Sequence, residues 1–122
     1  MSWADHLEKL TKKGGKDLGK LCKAIKVELF SGIIDDTRVD TGRLRGNWQI
    51  HENSPAEGET GSLDPTGVKT KAYVKALAGK YNVTYFTNNL PYAKVYEEKD
   101  AMVARNVVRV KANIKRMADD IK

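Results

Sequence analysis

The stretch that most restricts this chain runs from Arg38 to Trp48, Arg-Val-Asp-Thr-Gly-Arg-Leu-Arg-Gly-Asn-Trp, where one apolar rhythm stops and another begins. Before it, Leu18, Leu21, Cys22, Ile25, Leu29 and Ile33 recur at helical spacing and predict a helix from Lys16 onward. After it, Leu44, Gly46, Trp48 and Ile50 alternate with Arg45, Asn47, Gln49 and His51, which predicts a strand over 43–51 with one apolar face. Arg43 and Arg45 would then share the opposite face from Leu44 and Trp48. Between the two, Asp40, Thr41 and Gly42 suit a turn: short polar side chains that bond their own backbone, then a residue that tolerates positive φ. A turn needs no arginine, yet Arg38, Arg43 and Arg45 crowd around this one.

The flanking segments are simpler. Residues 1–15 read as an arm, because the helical spacing of Trp3, Leu7 and Leu10 is broken by Lys12-Lys13-Gly14-Gly15. Residues 53–67 are rich in Gly, Pro, Ser, Thr and Glu without apolar period, and predict a long mobile loop. Asp64-Pro65 predicts entry to a short helix carrying Val68, Ala72, Ala76 and Leu77 and stopping at Gly79. Residues 81–87, Tyr-Asn-Val-Thr-Tyr-Phe-Thr, predict a second strand, and Asn88-Asn89-Leu90-Pro91 a turn. A short helical turn follows from Pro91 to Glu97. Val103, Val107, Val110, Ile114, Met117 and Ile121 alternate steps of four and three; residues 102–110 are β-branched enough for a strand, but the sustained spacing favours a helix with Asp100 as its cap. The sum is one α+β domain over 1–122: a small antiparallel sheet with a long N-terminal helix, a short middle helix and a C-terminal helix.

Composition enters through charge and chemistry. The 122 residues carry a net charge of +6, spread over both ends and interrupted by Glu52, Glu57, Glu59 and Asp64, which no base accompanies. Opposed patches of this kind suit head-to-tail contact between copies. They suit less well a nucleic-acid binder, which gathers its positive charge on one face. Lys16, Lys20, Lys23 and Lys26 flank the first helix as a solvated stripe. The single cysteine, Cys22, excludes an internal disulfide and reads as a small core residue. The N-terminus lacks a basic-then-apolar leader, so synthesis and function without export are expected, with no membrane span.

Asp40-Thr41-Gly42 is also the tripeptide of aspartic proteases, whose chemistry requires two buried carboxylates sharing a proton. Arg38 and Arg43 flank this aspartate, and arginine follows the glycine where that family keeps a small residue. No apolar-apolar-glycine segment for the second half of such a site follows either, so the tripeptide is read as a turn. The isolated histidines His6 and His51, and the absence of a glycine-rich phosphate cradle, leave no expected catalytic, metal or cofactor residue.

Two separated blocks resemble a known family. Arg38 to Gln49 is similar to its "VDTGRLRxNWQ" block, and Tyr85 to Glu97, Tyr-Phe-Thr-Asn-Asn-Leu-Pro-Tyr-Ala-Lys-Val-Tyr-Glu, to its "NNLPYAxxLE" block. The family is the neck and tail-completion proteins of long-tailed bacteriophages, the minor tail protein Z type. The order of helix, first block, acidic loop, short helix, second block and basic C-terminal segment also fits, from about residue 16 to the end. Glu97-Glu98-Lys99-Asp100-Ala101 replaces the linker usual in the family, so any contact made by that linker is in question.

The resemblance implies a non-enzymatic virion protein, made in the bacterial cytoplasm, that forms a ring at the neck or tail end. Its partners would be identical copies and the connector, tail terminator or tail tube, with non-specific contact to DNA in the channel. Arg38, Arg43 and Arg45 are expected at subunit or partner interfaces, as are Glu57 and Glu59 of the acidic loop. Asn88, Asn89, Tyr92 and Tyr96 join them from the second block. Asp40, Thr41, Gly42, Trp48 and Pro91 are expected to serve the turn and core. The alternative expectation is a basic nucleic-acid-binding module that uses the lysines of the first helix and the cationic C-terminus.

Overall fold

The computed structural model describes residues 18–78 and 83–120, so the N-terminal arm, Gly79 and Ile121 lie outside the described residues. The elements are α1 (Leu18–Asp36), α2 (Arg43–Gly46), β1 (Trp48–Glu52), α3 (Val68–Leu77), β2 (Thr84–Asn88), α4 (Ala93–Asp100) and α5 (Met102–Asp120). The fold is α+β: β1 and β2 form a two-stranded antiparallel sheet in which Trp48 faces Asn88 and Ile50 faces Phe86. A pair of strands is marginal in water without a helix against it, and α1 supplies that cover. Phe30 of α1 stacks on Phe86 at 4.4 Å between ring centroids, and Phe86 stacks on Trp48 at 4.7 Å.

This aromatic sandwich, with Ile33, Ile34, Ile50, Val74 and Met102, is one half of the core. The other half lies between α1 and α5, where Leu21 and Ile25 meet Val110, Ile114 and Met117. The heptad stripe of residues 102–120 is therefore helical throughout and packs within the chain, and the strand alternative for 102–110 is not adopted. Cys22 is half-buried at the edge of this contact rather than in the core. The two helix faces cross with polar anchors: Asn106 donates to Asp36 at 2.8 Å, and Arg109 donates to both the carboxylate and the carbonyl of Glu28.

The largest departure from the sequence reading is at 43–46. Arg43 to Gly46 are one turn of helix, and only Trp48 onward is strand. Gly42 takes φ 88°, which reverses the chain, and its carbonyl accepts from Gly46 at 2.9 Å to close the turn. Asn47, fully buried, seals it by donating to the Arg43 carbonyl at 2.9 Å. A side chain on Gly42 would run into Pro65 of the following loop. Arg43 and Arg45 thus do not share a strand face. The apolar pattern misled because Leu44 and Trp48 sit four apart, a spacing that a helix and a strand both satisfy.

Two predicted caps also differ. Asp64 serves the start of α3 not from the N-cap position, which Gly67 holds, but by reaching across it to accept from the Thr70 amide and hydroxyl, both at 2.7 Å. Asp100 ends α4 and does not cap α5; Glu97 does, with its two carboxylate oxygens accepting from the amides of Val103 and Ala104. Ala101, at φ 50°, makes the hinge between the two helices.

Two consequences for stability follow. Thr37→Val removes the hydroxyl that accepts from the Trp48 indole N–H at 2.9 Å, leaving a buried donor unpaired. It should lower stability by about 1–3 kcal/mol, read as a lower urea midpoint at unchanged slope. Asp64 is buried, which by itself raises its pKa, but hydrogen bonds from the Thr70 side chain and from the amides of Thr70, Lys69 and Gly67 outweigh burial and place it below the ordinary value. A carboxyl that is more acidic when folded stabilises fully above its unfolded pKa of about 3.9 and loses that contribution as pH falls through its folded value. Asp64→Asn should therefore be less stable than wild type at neutral pH, with the gap closing below about pH 4.

Candidate functional site

The two blocks separated in sequence meet in space. Arg38 to Leu44 form one wall of a cleft of about 330 Å³, and Tyr92 and Tyr96 of α4 form the other. α4 is placed for this by Leu90 and Ala93, which pack on Leu44 to make a small third cluster. Tyr92 and Tyr96 are one helical turn apart and meet edge to face at 5.9 Å. The Asn88 side chain donates to the Leu44 carbonyl at 2.8 Å and so ties the second block to the first.

The cleft's arginines are matched within the chain. Arg38 makes a two-pronged contact with Asp100, at 2.8 and 3.1 Å, while its guanidinium lies 5.1 Å from the centre of the Tyr96 ring. The hydrogen bonds to Asp100, then its charge, push the Arg38 pKa further up, so this group is a fixed cation. Arg43 pairs with Glu59 of the acidic loop at 2.8 Å. Asp40, by contrast, is exposed in the cleft wall with no hydrogen bond or ion pair among the described residues. The neighbouring Thr41 hydroxyl accepts from the Arg43 amide at 3.3 Å, as a turn residue would.

Several expected interface residues also bond backbone carbonyls of their own chain. Arg45 donates to three carbonyls at once: Pro65 at 2.7 Å, Asp35 at 2.8 Å and Thr37 at 3.0 Å. Its planar fork therefore joins the end of α1 to the end of the acidic loop. Asn89 donates to the Ala56 and Gly58 carbonyls, both at 2.9 Å, and Asn47 accepts from the Thr60 amide at 2.8 Å. These contacts lay the loop 53–67 down along β1 without any helix or strand of its own, and bury Ala56 and Asp64. Of the loop's acids, Glu57 is exposed with no partner among the described residues. Trp48 is in the core as expected, and Pro91 is exposed at the turn before α4.

Sequence reading missed three parts of the site. Asp100, the partner of Arg38, lies 62 residues away with no local signal. Leu44 forms a wall because α2 is helical, which alternation concealed. Val39 lines the rim and is 39% exposed, a single apolar residue in a polar run. Chemically the cleft offers an aromatic pair, apolar rims and one unmatched carboxylate. Among the described residues no group of His, Cys, Asp and Glu is placed to hold a metal ion, and no helix is long and apolar enough to cross a membrane.

The division between framework and cleft can be tested by two lysine substitutions. Arg45→Lys keeps the charge but loses the fork, and should cost roughly 2 kcal/mol in urea unfolding. Arg43→Lys touches only a half-exposed ion pair and should cost less than about 1 kcal/mol. No family model, curated protein or solved structure matches this chain, so a functional reading rests on the cleft and the two sequence blocks.

Proposed function

We propose that the protein is a structural component of a bacteriophage virion at the head–tail joint. It acts by assembling identical copies into a ring and docking that ring between connector and tail, with no catalytic step. The observation that carries the reading is the cleft itself. The two blocks that resemble the neck and tail-completion family, 38–49 and 85–97, lie far apart in sequence and together make one surface recess. Pairing of Arg38 with Asp100 and of Arg43 with Glu59 places the long side chains at the edge of that recess before any partner binds, which lowers the ordering cost of a repeated interface. The connector, tail terminator and tail tube are the partners expected on this reading, with non-specific contact to DNA in the channel, and the virion neck is its location.

A nucleic-acid-binding module is the second reading. The cationic outer face of α5, with Arg105, Lys115 and Arg116, favours it. Part of that charge is matched locally, since Arg116 reaches Asp120 at 3.5 Å and Arg105 reaches Asp36 at 3.7 Å.

Electron microscopy and light scattering of the purified 13.6 kDa protein, alone and mixed with tails lacking it, test the first reading. Annular particles, or a new ring at the tail end, are the expected result. A protein that stays monomeric and joins no tail overturns it. DNA affinity that falls steeply with salt, without any assembly, would support the second reading instead.

A further inference from the structure

Helix α3 turns an uncovered face outward. Its buried side is Thr70 and Val74, followed by Ala78 just past its end, which pack toward α1, β1 and the Arg45 carbonyl. Another side carries Tyr73 and Leu77, 62 and 52% exposed and one turn apart, with Lys69 one turn before Tyr73 and the small exposed Ala76 beside them; Val68, 67% exposed, lies on the side of the helix opposite Leu77. Tyr73 and Leu77 exposed side by side form a small apolar patch on this ten-residue helix. The helix has no acid. Lys71 pairs with Asp35, while Lys69 and Lys75 have no partner among the described residues. The side carrying Tyr73 and Leu77 is thus apolar with one cation, Lys69, a turn before Tyr73.

A surface that complements it must be recessed, aromatic or apolar, and acidic. The same chain carries one. In the cleft the charges of Arg38 and Arg43 are cancelled by Asp100 and Glu59, which leaves Asp40 as the uncompensated charge. Tyr92, Val95 and Tyr96 share one side of α4 beside it, and Val95 is 47% exposed. The short helix α2 lies between the two surfaces. Its Arg45 carbonyl accepts from Thr70 of α3, whereas Arg43 and Leu44 line the cleft. One chain's α3 therefore does not fill its own cleft.

We infer that α3 of one copy docks into the cleft of a second copy, with Tyr73 entering beside Tyr92 and Tyr96 and Lys69 facing Asp40. The inference rests on the ring reading above and names its interface. The contact joins two different surfaces, so it is head-to-tail. Such contacts close into rings when the rotation permits. Large aromatic side chains seated in a desolvated recess dominate interfaces of this kind, and flanking charges set the register.

The experiment is a mixing test by sedimentation velocity over a range of concentrations. Tyr73→Ser/Leu77→Ser spoils only the α3 face, and Asp40→Lys spoils only the cleft; all three side chains are exposed, so circular dichroism should match wild type. Each variant alone should lose self-association by about tenfold or more. Their equimolar mixture should recover a heterodimer and nothing larger, because one intact α3 face meets one intact cleft. If the double variant misfolds, Tyr73→Ser alone replaces it with the same expectation. Variants that assemble like wild type, or a mixture that stays monomeric, overturn this interface while leaving the ring reading in place. A wild-type protein that is monomeric throughout overturns this interface, and one that in addition joins no tail overturns both.

Discussion

Where α1 ends, the Thr37 hydroxyl donates to the Ile33 carbonyl at 2.6 Å and accepts from the Trp48 indole at 2.9 Å. Thr37 is 1% exposed, so both bonds are made away from water, where an unpaired partner would be costly. This one hydroxyl fixes the distance between the last turn of the long helix and the first residue of the sheet. Everything between them, from Arg38 to Asn47, must fit into that span. The chain does so by a reversal at Gly42 and a single helical turn, and that turn brings Leu44 and Arg43 to the cleft while sending Arg45 the other way. The cleft is in this sense a by-product of how the helix is anchored to the sheet.

The same economy governs charge. A basic chain with an acidic loop invites the idea that its opposite charges meet across subunits. In the structure much of that complementarity is consumed internally: Glu59 with Arg43, Asp100 with Arg38, Asp35 with Lys71. Exposed pairs of this sort contribute little stability, and their main effect is to hold long side chains in one place. What remains unmatched is more informative than what is paired. Asp40 in the cleft, and Lys69 one turn before Tyr73, are charges for which the chain provides no partner among its described residues.

Much of the framework was legible in the residues. Period 3.6 in Leu21, Ile25 and Ile33, and in Val110, Ile114 and Met117, marks α1 and α5 because both present one stripe to a partner and the rest to water. Alternation from Trp48 to Ile50 and from Tyr85 onward marks the strands for the same reason. The site was less legible. Arg45, Asn88 and Asn89 look like interface residues in sequence because polar side chains near a turn have no local partner. In the fold each finds backbone carbonyls brought to it from residues between 8 and 44 positions away. The caps moved likewise: Glu97 replaces Asp100 at α5, because the left-handed Ala101 folds α4 back so that its last turn faces the next helix.

By itself the sequence determined the helices that have one apolar stripe, the two strands, and the need for glycine at position 42, since these follow from short-range periodicity and backbone sterics. At 43–46 it pointed to a strand where the chain makes a helical turn, because residues four apart on one side satisfy a helix and a strand alike. Only the tertiary structure decided which of the two it is, since the choice depends on Gly42 meeting Pro65 and on Asn47 reaching Thr60 across the loop. The same holds for which charges are spent and which stay open. Pairing is a matter of distance in space, and Arg38 and Asp100 are neighbours only because a helix, a sheet and a loop have first been packed between them.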